Sequence, residues 1–362
     1  MPKDHFVPQH YLRQFGVDEK LIVATSVSPY KFIGIVPIDG QCQGKNFYEK
    51  NKPLDELLWN SENDIAPVLV RVIQKQDFDT KEINALKMFA VILNVRTRKA
   101  VEAAKVFPKY HAKSVIESAI QQGALPPVPD GDSIDEVIDF KGIAGMLIQQ
   151  TIPCWMETQV LSAKLLKAQN GFYFITSDNP VVVLNQFCVG ADSMQKFVGF
   201  GRSGFQLLMP ISPNLCLIIY DAKIYKVGSQ RHRLVEISKT DVEIVNSLQV
   251  QSADKCLYFH EPKMEQEVHN LAARYANLRV PLQDFLQTFP GKNENEKIIS
   301  ISNESVKLPN RWNFCRYRRH VKFAPGDRHH PEWTALGDQL MDDIDKNRNG
   351  EDVFTRLKRI LA

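Results

Sequence analysis

Hydrophobic and polar positions change their period twice along the chain, first to a helical spacing and then to an alternating one. Residues 5–16 (HFVPQHYLRQFG) read as an extended entry that turns into one or two helical turns, opened by Pro8 and closed by Gly16. Residues 20–27 and 32–38 are short β-branched runs bounded by Pro, Gly and Asp, and they predict a small antiparallel pair. From 54 to 168 apolar residues recur every three to four positions, predicting three or more helices, the last running through IDEVIDFKGIAGMLIQQTIPCWMETQVLSAKLLKA. The Pro-, Gly- and Asp-rich stretch 123–132 breaks them into two groups, as a loop within the helical region. At Gly171 the period drops to two. GFYFITSDNPVVVL, FQLLMPISPNLCLIIYD and KCLYFH predict strands around a helix over 239–252. A polar amphipathic helix over 263–279, a mixed basic stretch over 293–319 and a charged helical tail over 332–361 complete the expected order. No repeat recurs at 20 to 50 residues.

The order predicts an α+β protein, with a central helical group packed on a mainly antiparallel sheet and a charged helical C-terminal extension. One core domain is expected over 1–262 and a basic, helical extension over 263–362.

Composition narrows the class. With 362 residues, 44% apolar and 24% charged, the chain can bury a sizeable core. The balance of 45 Lys and Arg against 42 Asp and Glu is close to neutral, so a nucleic-acid partner has to be argued from local patches. Six scattered cysteines without a CxxC are expected to be reduced thiols of a cytoplasmic protein. Residues 1–10 lack the basic start and apolar run of a signal peptide, and the apolar run at 88–95 is too short for a membrane span, so no membrane partner is expected.

Four formal motifs fail on their physics. GFGRSG at 199–204 is followed by a strand rather than the helix that would hold a pyrophosphate. DKNRNG at 345–350 starts like a calcium loop, but Arg356 falls where a bidentate glutamate is required. Ser193 and Lys196 form an SxxK without its partners, and His320, His329 and His330 have no fixed ligand spacing.

Other polar residues sit where a bland sequence would not put them. Asp178 interrupts an apolar strand beside Ser177 and Asn179, so it either closes an Asx-type turn or faces a polar cleft. His5 and Gln9, with Tyr11 and Arg13 beyond, crowd the N-terminal segment, either docking it as a base and amide contacts or capping a solvated turn. Arg96 ends the most apolar helix, where it either satisfies orphan carbonyls or presents a fork to carboxylate or phosphate. Glu62, Asp64, Asn246 and Asp254 lie beside apolar stripes and read as structural. In RWNFCRYRRHVKF, Arg311, Arg316, Arg318, Arg319 and Lys322 alternate with Trp312, Phe314, Tyr317 and Phe323. Cations contact phosphates and aromatics stack on unpaired bases, so this tract is the nucleic-acid candidate, although an amphipathic strand has the same pattern.

Together these segments resemble a bacterial family of unknown function, domain-of-unknown-function family 4238. The resemblance rests on His5, Pro8, Gln9, Tyr11, Leu12 and Phe15 for an HxxPQxYLxxF motif, and on Thr176 to Pro180 for TSDNP. It continues in Arg96 and Thr97 for an RTP motif that has Arg98 in place of proline, in Pro210, Ser212 and Pro213, and in Asn246. It spans roughly 5–260 and implies a role in defence against phage. It also gathers His5, Gln9, Arg96 and Asp178 into one expected site.

Two functions from different classes follow. The first is a defence effector hydrolysing nucleic acid or a nucleotide: Asp178 holds a divalent ion such as Mg or Mn or activates water, His5 moves the proton, and Arg96 neutralises phosphate. Gln9, with Tyr11, Arg13, Ser177, Asn179 and Asn246, would position the substrate. The second is a non-catalytic binding or sensing module, with the same groups clamping a ligand or the N-terminal segment, and the basic tract contacting nucleic acid. A purely structural pairing of His5 with Asp178 is the third reading. Oligomeric state is left open.

Overall fold

A computed structural model describes residues 3–45, 47–48, 52–126, 142–188, 199–280, 286–290, 297–301, 306–319 and 321. The SxxK segment, the 345–350 motif, His320, Lys322, Phe323, His329, His330, the expected tail helix and most of the 123–132 connector lie outside those residues.

The N-terminal part contains β1 (Lys3–His5), α1 (Gln9–Leu12), β2 (Leu21–Val27), β3 (Tyr30–Pro37) and β4 (Gln43–Lys45). The helical part contains α2 (Lys52–Lys75), α3 (Thr80–Arg96), α4 (Arg98–Gln121), α5 (Ile143–Gln149) and α6 (Thr151–Thr158). Then follow β5 (Ser162–Ala168), β6 (Thr176–Ser177), β7 (Val182–Leu184), β8 (Gln206–Ser212), β9 (Leu215–Tyr220), β10 (Tyr225–Val227) and β11 (Leu234–Ile237). The chain continues through α7 (Lys239–Ser252), β12 (Cys256–Phe259), α8 (Glu265–Tyr275), β13 (Leu286–Pro290), β14 (Lys297–Ile301) and β15 (Cys315–Tyr317). The architecture is α+β, as the periodicity predicts.

A five-stranded sheet runs β11-β5-β9-β8-β7, antiparallel except for the parallel pair β11 and β5. A four-stranded antiparallel sheet runs β3-β2-β12-β6, so the expected N-terminal strand pair is half of a sheet completed by β6 and β12 from far along the chain.

Residues 162–168 correct the expected helix. SAKLLKA has helix-forming composition, yet it forms β5, the second strand of the larger sheet. Leu165 packs into the core on one face and Leu166 into the core on the other, so the strand shows no alternation that would betray it. Residues 171–175 correct a second expectation: Gly171 is in a turn at φ +86°, residues 172–175 join no sheet, and only Thr176 and Ser177 do so there.

The larger sheet is covered on both sides. Tyr11, Leu12 and Phe15 are fully buried between Leu86, Phe89 and Leu93 of α3 and Leu207, Met209 and Leu217 of the sheet. Each such side chain contributes roughly 1.5–3 kcal/mol through burial, so the N-terminal segment is part of the core. On the opposite face Val242, Val245 and Leu248 of α7 meet Leu208, Ile218, Trp312 and Phe314. Val268 and Leu271 of α8 cover Val23 and Phe259 of the smaller sheet.

Two caps set the helical breaks that position the polar residues. Asp79 accepts from the Glu82 amide at 2.8 Å while the Glu82 carboxylate accepts from the Asp79 amide at 3.0 Å, a capping box that starts α3. Thr97 is extended (φ −69°, ψ 155°) and its hydroxyl accepts from the Ala100 amide, so α3 ends and α4 begins there without a proline at 98.

Candidate functional site

The polar atoms of the motif residues are engaged inside the fold, in part with one another. Tyr11, fully buried, donates from its hydroxyl to the Pro210 carbonyl at 2.6 Å and accepts from the Thr176 hydroxyl at 2.7 Å. Three separate motifs therefore meet at one oxygen. Arg96, 3% exposed, donates to the Glu62 carboxylate at 2.7 Å, the Tyr48 hydroxyl at 3.1 Å and the His5 carbonyl at 2.6 Å. Its fork holds the N-terminal strand.

Asp178 is 4% exposed. Its Oδ1 accepts from the Asp254 amide at 2.8 Å, and its Oδ2 accepts from the Lys255 and Cys256 amides at 2.7 and 3.0 Å. Burial pushes its carboxyl up to about 6, against the downward pull of those amides and with the Asp254 charge adding to the rise. Asn179 accepts from Thr97 Oγ1 at 2.7 Å and donates to Ser252 Oγ at 2.8 Å. Ser177 donates to Gln249 at 2.9 Å, and Asn246 accepts from the Ile175 amide and donates to the Tyr173 carbonyl. The TSDNP segment is thus stitched to α7 and to the start of α4.

His5 belongs to a different set. Arg13 donates to Gln9 Oε1 at 2.9 Å, which turns Gln9 Nε2 toward His5 Nε2 at 3.2 Å. The Asp39 carbonyl lies 3.1 Å from the same nitrogen. His5 and Asp178 thus bond to different partners. Among the described residues, no three His, Cys, Asp or Glu side chains are grouped to hold a metal ion. Asp178 gives both oxygens to backbone amides, which leaves a poor donor set for Mg or Mn.

The chain matches the model of a family described as a protein of unknown function, DUF4238, over residues 3–263. It belongs to the DUF4238 family. No curated protein and no solved structure matches it. The DUF4238 match covers the whole polar network just described and stops before the basic tract.

Beyond the DUF4238 match, that tract forms half of a two-stranded ribbon. β15 pairs antiparallel with β10, with Lys226 opposite Arg316 and Tyr225 opposite Tyr317. The alternation seen in sequence sorts by face: Trp312 and Phe314 are buried with rings 4.9 Å apart, while Arg311, Asn313 and Arg316 are exposed. Arg318 donates to the Ala222 carbonyl, a bond that holds the ribbon to the preceding turn, and Arg319 is exposed. Tyr317 leaves 49% of its surface exposed. Lys226 and Arg316 have no ion-pair partner among the described residues.

A cleft of about 460 Å³ opens beside the ribbon, lined by Lys226, Gly228, Val235, Glu236, Ser238, Asp241, Asn313, Phe314 and Arg316. The sequence reading reached Arg316 and missed Lys226, Glu236 and Asn313. The signal for Lys226 is its place between inward-facing Tyr225 and Val227, which puts a cation on the outer face of a short strand. Gln249 was missed too; it lies three positions from Asn246, one turn along α7, and only their shared stripe marks them.

Proposed function

We propose that the chain is a non-catalytic nucleic-acid-binding module acting in the defence setting that the family resemblance implies. The observation that carries this reading is the β10–β15 ribbon: Lys226 and Arg316 face each other across two strands, both exposed, with Arg311 and Arg319 flanking and half-exposed Tyr317 on the ribbon's other face, opposite Tyr225. Exposed cations without acidic partners attract phosphates, and an exposed ring offers a stacking face to an unpaired base. The motif residues support this reading over hydrolysis because their polar atoms are already engaged: Arg96 uses all three nitrogens and Asp178 both oxygens inside the fold.

The test is fluorescence anisotropy of a labelled single-stranded oligonucleotide of about a dozen bases, titrated with the full chain over a range of salt. Binding should weaken steeply with salt. Lys226→Glu with Arg316→Glu should weaken it at least about tenfold and flatten the salt dependence by about two phosphate contacts. Equal binding by the double variant, or turnover of the oligonucleotide that Asp178→Ala abolishes, overturns the reading.

A further inference from the structure

The cleft beside the ribbon is built differently from the ribbon. Its floor is apolar: Val235 from the edge strand β11 and Phe314 from the β15 side. Gly228 lets the two walls approach, since a Cβ there would meet Val235 Cγ2 at 2.7 Å in a backbone already at φ +53°. The Gly228 amide donates to the Phe314 carbonyl at 3.0 Å, which fixes the floor to the ribbon.

The polar groups divide into those that hold the wall and those that remain for a ligand. Asp241 is spent: it accepts from the Asn313 amide at 2.7 Å and from the Ser238 hydroxyl at 2.8 Å. Ser238 in turn caps α7 by accepting from the Asp241 amide. By contrast Asn313, Lys226 and Arg316 line the cleft and are exposed, while Glu236, next to Val235 on β11, directs its carboxylate to the other face of the sheet with Leu234.

An apolar floor with a few convergent polar groups and a volume of this order is the composition of a small-ligand pocket. A primary amide, with both a donor and an acceptor, can pair with the donor and acceptor edge of a base, which a site for bare phosphate would not need. We propose that this cleft binds one nucleotide unit, with its base against Val235 and Phe314, its polar edge at Asn313, and its phosphate between Lys226 and Arg316. The inference deepens the binding reading of the ribbon and rests on it. The unit comes either from a free nucleoside monophosphate or from one unpaired residue of a strand.

The experiment uses the full chain with four nucleoside monophosphates, inorganic phosphate and the labelled oligonucleotide as separate probes, followed by calorimetry and by anisotropy. Asn313→Trp and Asn313→Leu alter an exposed position at the cleft and leave the ribbon's rim cations in place. The expected result is saturable binding of at least one monophosphate, tighter than inorganic phosphate by tenfold or more, and lost in Asn313→Trp. The Asn313→Leu variant, which lacks the amide, should keep phosphate binding while losing preference among bases. If monophosphates fail but the oligonucleotide still binds with loss in Asn313→Trp, the unit is part of a strand. Oligonucleotide binding unaffected by both cleft variants overturns the cleft while leaving the ribbon standing. Absence of all binding overturns both, and monophosphate binding alone overturns only the ribbon's polymer partner. Circular dichroism of both variants, unchanged from the parent, assigns the losses to the cleft.

Discussion

Arg96, in the last turn of α3, donates from Nη2 to the backbone carbonyl of His5 at 2.6 Å, tying the end of a buried helix to the N-terminal strand. The same guanidinium reaches Glu62 on α2, so one side chain joins three elements. Arg96→Ala removes the fork and leaves Glu62 and the His5 carbonyl without it. Stability should fall by about 2 kcal/mol or more, because the Tyr48 hydroxyl and the His5 carbonyl lose a charged donor, while Glu62, 29% exposed, can return to water. Arg96→Lys should recover only part, since an ammonium cannot fill three directions at once. Urea unfolding of the three proteins measures both, and wild-type stability in the alanine variant would show the fork to be idle.

Tyr11 allows a narrower test. Tyr11→Phe deletes one oxygen, keeps the ring and leaves the Pro210 carbonyl and Thr176 hydroxyl short of their partner. A cost of about 1–3 kcal/mol is expected from those buried groups. A chemical-denaturation midpoint unchanged from wild type would mean that the three motifs meet without depending on that oxygen.

His10 titrates in one direction. Burial, then the charges of Arg96 and Arg13, hold its imidazole down at about 4 against an ordinary 6.5. The unfolded chain binds the proton first as pH falls, so the His10 contribution is complete above 6.5 and is lost between 6.5 and 4. That window is worth roughly 3 kcal/mol. His10→Leu should flatten the acid limb of a stability profile measured from pH 8 to 4; an unaltered limb would refute the assignment.

Asp178 titrates the opposite way. Its folded carboxyl lies near 6, above the 3.8 of an ordinary aspartate, so the folded state binds the proton more tightly. The stability from that proton is complete below 3.8 and is lost as pH rises through 6. His10 and Asp178 therefore oppose each other between about 4 and 6. The double variant His10→Leu, Asp178→Asn should be flatter across that range than either single variant. In Asp178→Asn the acid loss due to His10 should stand out more steeply than in the parent, and thermal melts in buffers spanning the window would show it.

How far the fold could be read from the chain differs element by element. α3 and α7 were legible from apolar residues at helical spacing, while the Asp79 to Glu82 capping box and the Ser238 cap that start them went unread. β5 was not legible: a strand buried on both faces has no period, and the helix formers of SAKLLKA pointed the wrong way. The motif residues were found because polar side chains in apolar runs stand out. Their roles were not readable, since whether Asp178 meets a cleft or three amides depends on residues 254–256, about 76 positions later. Lys226 escaped notice for the same reason: its partner strand is some 90 positions away.

The four-stranded sheet sets a timetable for synthesis. β12 lies between β2 and β6 and pairs Cys256 with Ser26, so the inner edge of β2 has no native neighbour until about 230 further residues have been made. At ribosomal speeds of roughly 5–20 residues per second the hairpin of β2 and β3 waits roughly ten to fifty seconds with that edge open. The buried face of α1 waits as well, because Met209 and Leu217 also emerge late. A nascent chain halted between residues 45 and 256 keeps that strand edge and that helix face open together.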